Sequence, residues 1–384
     1  MMNSRERVLT ALDHREADRI PFDLGSIQVS GIHEIAYRRL RGALGLPETA
    51  VTLCDTIQQL ATVEDDLVER LGIDTRGLYP RNSHNWGIVE EDVGDYWAYH
   101  DEWGITHHRP KENGFYYSIV DVPLPKYDIA AEDLAQLSWP DMGAKWRVDG
   151  LRQQAEQYRA AGYAVVLKDA FAGIFEFAQR VVGMENLLLM MSLDPQAAGL
   201  LFDKLLDLKL DYWQTALTEL GDWVDVVTYA DDYGTQVSQL ISPAMFRQQI
   251  KPRVRQVLAL QAKLAPHARR LFHSDGNVRP LIPDFIKMGV DILNPVQGTA
   301  VNMNPTDLKR EYGRELAFWG GGVDTQGILP NGTPQEVKDD VRRNIDALAP
   351  GGGYVFNTVH NIQADVPPEN IIAMWQALQE YGVY

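Results

Sequence analysis

VDVVTYADDYG at 224–234, ISPAMFRQQIKPRVRQVLALQAKL at 241–264 and RRLFHSDG at 269–276 follow one another closely in this 384-residue chain. The first and third are short apolar runs that end in polar groups. Strands buried on both faces of a parallel sheet read this way. The second is long and amphipathic and opens on Ser242-Pro243. Serine there is a helix N-cap and proline suits the first helical position. The stretch therefore predicts strand, helix, parallel strand.

The same alternation runs outward in both directions. Strand candidates lie at 19–24 (RIPFDL), 73–79 (IDTRGLY), 164–170 (AVVLKDA), 224–230 (VDVVTYA), 270–273 (RLFH), 291–296 (DILNPV), 316–320 (LAFWG) and 354–359 (YVFNTV). Helix starts marked by Asp194-Pro195 and Thr333-Pro334 lie between them. Eight such units fit a closed (β/α)₈ barrel, an α/β fold of the TIM type, better than an open doubly wound sheet. No GxGxxG or GxxxxGK[ST] follows a strand, which argues against a nucleotide site. One segment breaks the rhythm. Residues 86–146 are rich in aromatics, glycine and alternating polarity, and predict β-hairpins inserted after the second barrel strand. Insertions of this length at barrel loops serve as lids, site edges or interfaces.

Composition narrows the function. The formal charge is −17, which disfavours a phosphate backbone as partner. The one cysteine, Cys54, can form no intrachain disulfide, and an inert buried thiol is its expected state. The first nineteen residues are charged throughout, and no apolar run is long enough to span a membrane. These features predict a cytoplasmic enzyme that binds neither nucleic acid nor membrane.

In barrels the chemistry sits at the C-terminal ends of the strands. Read that way, the rim gathers Asp23 and Ser26, Arg81 and His84, Lys168 and Asp169, and Asp231-Asp232-Tyr233. It continues with His273-Ser274-Asp275, Asn294 and Gln297, Asp324 after a glycine run, and His360-Asn361 with Gln363. Positions two apart in an extended segment share a side, so His273 and Asp275 can address one metal or one substrate group. His360 can supply a third ligand, and two histidines with a carboxylate suit Zn²⁺ or another divalent ion. The plainer alternative has His273 bonded to a loop and Asp275 starting a turn. Of the paired acids, Asp232 is expected in the site, with Asp231 tied to a loop. Lys168 either pairs with a nearby carboxylate or meets an anionic substrate. His107 and His108 are expected at the surface.

Several motifs resemble the uroporphyrinogen-decarboxylase-like superfamily. They are Ser4-Arg5-Glu6-Arg7-Val8-Leu9, Asp18-Arg19-Ile20-Pro21, Gly173-Ile174-Phe175-Glu176, Asp231-Asp232-Tyr233-Gly234, His273-Ser274-Asp275-Gly276, Asn294-Pro295-Val296-Gln297 and His360-Asn361-Ile362-Gln363. The resemblance runs over nearly the whole chain and implies a single barrel domain over 1–384. Within it the chain departs from true uroporphyrinogen decarboxylases. Their arginine-rich motif after the first strand is replaced by residues 23–30 without arginine, and their aspartate after the second strand is absent from Tyr79-Pro80-Arg81-Asn82. The other branch resembles methyltransferases that work with a corrinoid protein and bind zinc through His-x-Cys and a later cysteine. Here the pair reads His273-x-Asp275, and the later ligand falls at or near His360.

The resemblance thus implies methyl transfer or demethylation between a small methylated compound and a corrinoid protein. His273, Asp275 and His360 would hold the metal or polarise the substrate, and Asp232 or Glu176 would serve as acid, base or added ligand. Tyr233, Asn294, Gln297, Asn361 and Gln363 would orient the substrate. The competing reading is a cofactor-free decarboxylase or lyase, with Arg81 and Lys168 gripping a carboxylate. A homodimer is implied by the family alone.

Overall fold

The computed structural model describes residues 2–82 and 88–384. Its strands are, in chain order, β1 (Leu53–Asp55), β2 (Leu60–Ala61), β3 (Thr75–Leu78), β4 (Glu91–Val93), β5 (Tyr96–His100), β6 (Thr106–Pro110), β7 (Ser118–Asp121), β8 (Ala164–Leu167), β9 (Val226–Ala230), β10 (Arg269–His273), β11 (Ile292–Asn294), β12 (Ala317–Trp319) and β13 (Tyr354–Val355). β3 and β8 to β13 form one seven-stranded sheet in the order β13-β12-β11-β10-β9-β8-β3. Every pairing in it is parallel.

The segment at 19–24, expected as the first strand, closes the ring without becoming a regular strand. Its pairing is one parallel bridge between Phe22 and Phe356. Asp23 N donates to Phe356 O at 2.9 Å, and Asp74 N donates to Phe22 O at 2.8 Å, so the segment joins β13 to β3. Pro21 has no N–H to extend the ladder, and Gly25 at φ +86° turns the chain away. The architecture is a TIM-barrel-like α/β fold.

Strand parity sorts the side chains. Ala164, Val166, Val226, Leu271, Ile292, Ala317 and Val355 form an inner cluster, plugged by Val8 and Leu12 of helix Ser4–Leu12. Their neighbours Val165, Leu167, Val227, Phe272 and Leu293 belong to the larger core beneath the helices. Alternation of this kind follows from the two-residue repeat of a strand, and it decides which rim residues look into the barrel mouth.

Between β3 and β8 the chain leaves the barrel. β4 to β7 make a separate antiparallel sheet in the order β4-β5-β6-β7. Trp86, where the inserted hairpins were expected to begin, lies outside the described residues, as does His84. Outside the barrel, Asp194 caps helix Pro195–Leu220 by accepting from Gln196 N and Ala197 N. Thr333 and Glu336 form a capping box on helix Pro334–Leu348. The single helix expected after Ser242 is interrupted: Pro243–Met245 leads into a wide π turn at Phe246–Ile250 before Lys251–Leu264 resumes. Pro252 accounts for the widening, since it lacks an N–H and crowds the preceding turn. No helix among the described residues is long and apolar enough to cross a membrane.

Candidate active site

Parity carries over from the strands to the residues just past them. Leu271 points inward, so His273 does too, and Asp275 continues the same side. The sheet register sets His273 between Ala230 and Asn294. Asn294 Oδ1 lies 2.6 Å from His273 Nδ1, while Asn294 Nδ2 donates to Trp319 O at 2.7 Å. The amide is therefore oriented with its oxygen towards the imidazole, which makes Nδ1 the donor. Nε2 is left facing Asp232 Oδ1 at 3.7 Å and Asp275 Oδ2 at 3.9 Å. His360 Nε2 stands 3.8 Å from the same Asp275 oxygen.

One ligand atom from each of His273, Asp275 and His360 lies within 4.8 Å of the others. A tetrahedral ion with bonds of about 2.1 Å wants ligand atoms roughly 3.4 Å apart, so two edges of this triangle need only small movements. The fixed Nδ1–H of His273 is the second arrangement a metal site calls for, because it leaves Nε2 as the ligand atom. The side chain of His360 is 30% exposed, which leaves one side of the group open to a small molecule.

The adjacent acids separate, and parity supplies the reason. Asp231 turns outward and is fully buried. It accepts from Glu176 N at 2.7 Å and Phe175 N at 3.1 Å, capping helix Ile174–Val182, and from the hydroxyls of Tyr233 at 2.5 Å and Tyr229 at 3.2 Å. Burial pushes its pKa up to about 7 against the pull of these donors. Gly173 lets the helix approach, since a Cβ there would sit 2.2 Å from the Asp231 Cβ. Asp232 turns inward and accepts from Asp275 N at 2.8 Å. Burial raises its pKa above the ordinary carboxylate value; His273 pulls the other way and Asp275 adds to the rise. Burial lowers the pKa of His273, but Asp275, Asp232 and Asn294 outweigh it, so it stands above the usual imidazole value.

A cavity of about 350 Å³ opens above this group. Asp232, His273, His360, Glu176 and Lys168 all line it. The inserted segment supplies another wall through Tyr99, Asp101, Glu102 and Trp103. Glu176 is paired with Arg180 one helical turn on. Asn361 and Gln363 form a hydrogen-bonded chain that ends on Gln58 at the cavity wall.

Of the seven expected substrate contacts Lys168 alone lines this cavity: Asn361 and Gln363 stand behind Gln58, and four fall elsewhere. Tyr233, on the outward parity, is fully buried among Phe175, Phe246, Phe272 and Phe285, and its hydroxyl serves Asp231. Arg81 is exposed and lines two other cavities beside helix Leu151–Ala160, one of which shares Cys54, Tyr79 and Asn82 with the site cavity. Asn294 acts on His273, and Gln297 Oε1 accepts from Gly276 N at 2.7 Å, holding the turn after Asp275. Neither of these two lines the cavity.

Other expectations are corrected by burial. His107 is buried, not at the surface: its ring stacks on Tyr99 with centroids 4.6 Å apart, and its Nε2 lies 2.9 Å from Asp101. Asp169 pairs with Lys209 at 2.6 Å inside the core rather than with Lys168. Asp23 lies inside the barrel, accepting from Thr75 Oγ1 and Trp319 Nε1. Cys54 is half-buried on the cavity wall, where burial and Asp55 push its thiol up to about 11. The sequence reading missed Asp55, Gln58, Glu102, Trp103 and Arg180. Only Arg180 had a local signal, the i,i+4 spacing from Glu176.

Residues 118–381 match the family model described as Uroporphyrinogen decarboxylase (URO-D). The uroporphyrinogen decarboxylase of Pseudoalteromonas translucida is 26% identical over 198 residues, covering 49% of this chain and 50% of that protein. That of Syntrophotalea carbinolica is 27% identical over 180 residues, covering 46% of each. The chain thus matches about half the length of these curated relatives. Among solved structures, a methyltransferase from Methanosarcina mazei superposes over 99% of both chains with a TM-score of 0.63 at 17% identity, which shows a shared fold. With more than half of its length matched by the family model, the chain belongs to the uroporphyrinogen decarboxylase (URO-D) family.

Proposed function

We propose that this protein is a metal-assisted methyltransferase or demethylase, moving a methyl group from a small methylated compound to a corrinoid carried by a partner protein. The observation that carries the reading is the His273–Asp275–His360 group, with His273 Nδ1 held by Asn294 and Nε2 turned to the cavity. A divalent ion held there would supply Lewis acidity to the oxygen or nitrogen that loses the methyl. In the transfer the partner's reduced corrinoid would supply the electron pair of the new bond to the methyl carbon, the carbon–heteroatom bond breaks with its electrons staying on the heteroatom, and the heteroatom gains a proton. Asp232 would deliver that proton, since it lines the same cavity beside His273. Glu176, paired with Arg180, keeps the adjoining wall polar and oriented.

A decarboxylase or lyase reading has one feature in its favour, the Lys168 ammonium on the cavity wall. Its second anchor, Arg81, lines other cavities.

The test is elemental analysis of tag-free protein after reconstitution with Zn²⁺, alongside methyl transfer to reduced cobalamin followed by its visible spectrum. About one ion per chain, lost together with activity in His273→Ala and in His360→Ala, is the expected result. Full metal content in both variants, or none in the wild type, would sink the reading.

A further inference from the structure

The cavity above His273 holds two charged side chains, Lys168 and Asp55, that no ion pair among the described residues neutralises. Lys168 has inward parity, and among the described residues it makes no ion pair. Its backbone is tied down, N to Leu78 O at 3.1 Å and O to the Tyr212 hydroxyl at 2.7 Å, and its ammonium lies 6.0 Å from the centroid of the Tyr79 ring. Asp55 likewise makes no ion pair among the described residues. One of its oxygens accepts from Gln58 N at 2.9 Å, and among the described residues the other accepts no hydrogen bond.

The other charges on the inserted-sheet side of the cavity are committed. Glu102 is held by Arg147 at 2.8 Å, and Glu176 by Arg180. Asp101 accepts from Trp103 N, Ile105 N and His107. Arg180 feels the field of Asp55 without touching it. Cys54, Asp55 and Lys168 all line this cavity, and the two charges act on the Cys54 thiol in opposite directions. An unpaired charge on a cavity wall gives up hydration without gaining a partner, and a ligand of opposite charge supplies that partner. A ligand that is only an anion leaves Asp55 unmet, and one that is only a cation leaves Lys168 unmet. Phe171, Phe177 and Trp103 add an apolar wall to the same cavity.

We propose that the small substrate is an amino-acid-like zwitterion, with its carboxylate on Lys168, its ammonium on Asp55, and an apolar methyl-bearing arm reaching towards His273 and His360. This assignment rests on the methyl-transfer reading of the site above.

Three probes with one five-carbon skeleton test it: L-norvaline, valerate and pentylamine, titrated calorimetrically into the Zn²⁺-reconstituted protein. Norvaline is expected to bind at least about tenfold more tightly than either of the others. Lys168→Met should erase its advantage over pentylamine, Asp55→Asn should erase its advantage over valerate, and Lys168→Arg should keep most of the first. Unchanged unfolding temperatures keep the comparison on binding. Valerate or pentylamine binding as tightly as norvaline overturns the proposal, as does no norvaline binding or no response to either substitution. Because binding is read without turnover, the two readings fail separately. Norvaline binding in this pattern to a protein that holds no metal overturns the methyl-transfer reading and supports the zwitterion site.

Discussion

Asn294 Oδ1 sits 2.6 Å from His273 Nδ1 because β10 and β11 pair those two residues in register. The amide itself is fixed by the carbonyl of Trp319 on the next strand. Three neighbouring strands thus determine which nitrogen of one imidazole faces the cavity. Asn294→Ala should weaken Zn²⁺ binding about 10- to 100-fold, the usual effect of losing such an outer partner. Asn294→Asp keeps an acceptor for Nδ1–H and should bind within a few fold of wild type. Competition against a chelating indicator measures both, and equal affinities for the alanine variant and the wild type would contradict the role.

Protons and metal compete for the same nitrogen. The carboxylates of Asp275 and Asp232 overcome the effect of burial and raise the pKa of His273. The proton must leave before an ion binds, so metal affinity should strengthen as pH rises through and somewhat above the ordinary imidazole range. Asp232→Asn removes one of the two raising carboxylates, which should move the affinity curve to lower pH. Affinity measured at a series of pH values reads this directly, and a curve that does not move, or moves upward, counts against it.

Much of this arrangement was legible in the sequence, and parity explains the divide. Apolar runs such as 164–170 mark buried strands whatever they later contact, so the barrel could be read. His273 and Asp275 share a side for the same reason. Tyr233 was read as a substrate contact because it follows two acids at a strand end. Counting by two from the inward Val226 would have put Asp232 inside and both Asp231 and Tyr233 outside. Counting from Ala164 likewise puts Lys168 inside and Asp169 outside, where Lys209 meets it. The cavity wall formed by the inserted sheet was not legible. How Trp103 or Glu102 folds back over a barrel is set by tertiary packing, here Trp103 against Phe171 and Phe177, and no local pattern encodes it.

The Asp169–Lys209 pair is a structural consequence of that parity. Both side chains are buried, and Lys209 also donates to Phe171 O. Lys209→Met would strand a buried carboxylate and should cost about 3–5 kcal/mol. Replacing both, as Asp169→Leu with Lys209→Met, should recover most of that loss, since two apolar groups leave no unmet charge. Urea unfolding of the single and double variants checks the pair; additive losses would mean that the two residues do not act together.

Asp231 gives a pH signature of its own. Its carboxyl accepts four hydrogen bonds and caps helix Ile174–Val182, yet burial still carries its pKa up to about 7. In the unfolded chain the same group releases its proton near pH 4, as ordinary aspartates do. Between about pH 4 and pH 7 the folded state therefore binds the extra proton. Stability from this group is fully present below about pH 4 and is lost as pH rises through 7. The swing is on the order of 4 kcal/mol at roughly 1.4 kcal/mol per tenfold change in the proton equilibrium. Asp231→Asn cannot ionise, so it should lose some stability at low pH through the poorer cap but should not share the decline. Urea unfolding of both proteins in chelator, at several pH values across this window, gives the difference curve. The expected curve moves in favour of the asparagine variant as pH rises. A flat difference would show that the four donors hold Asp231 ionised throughout, with the cap gaining strength from the charge.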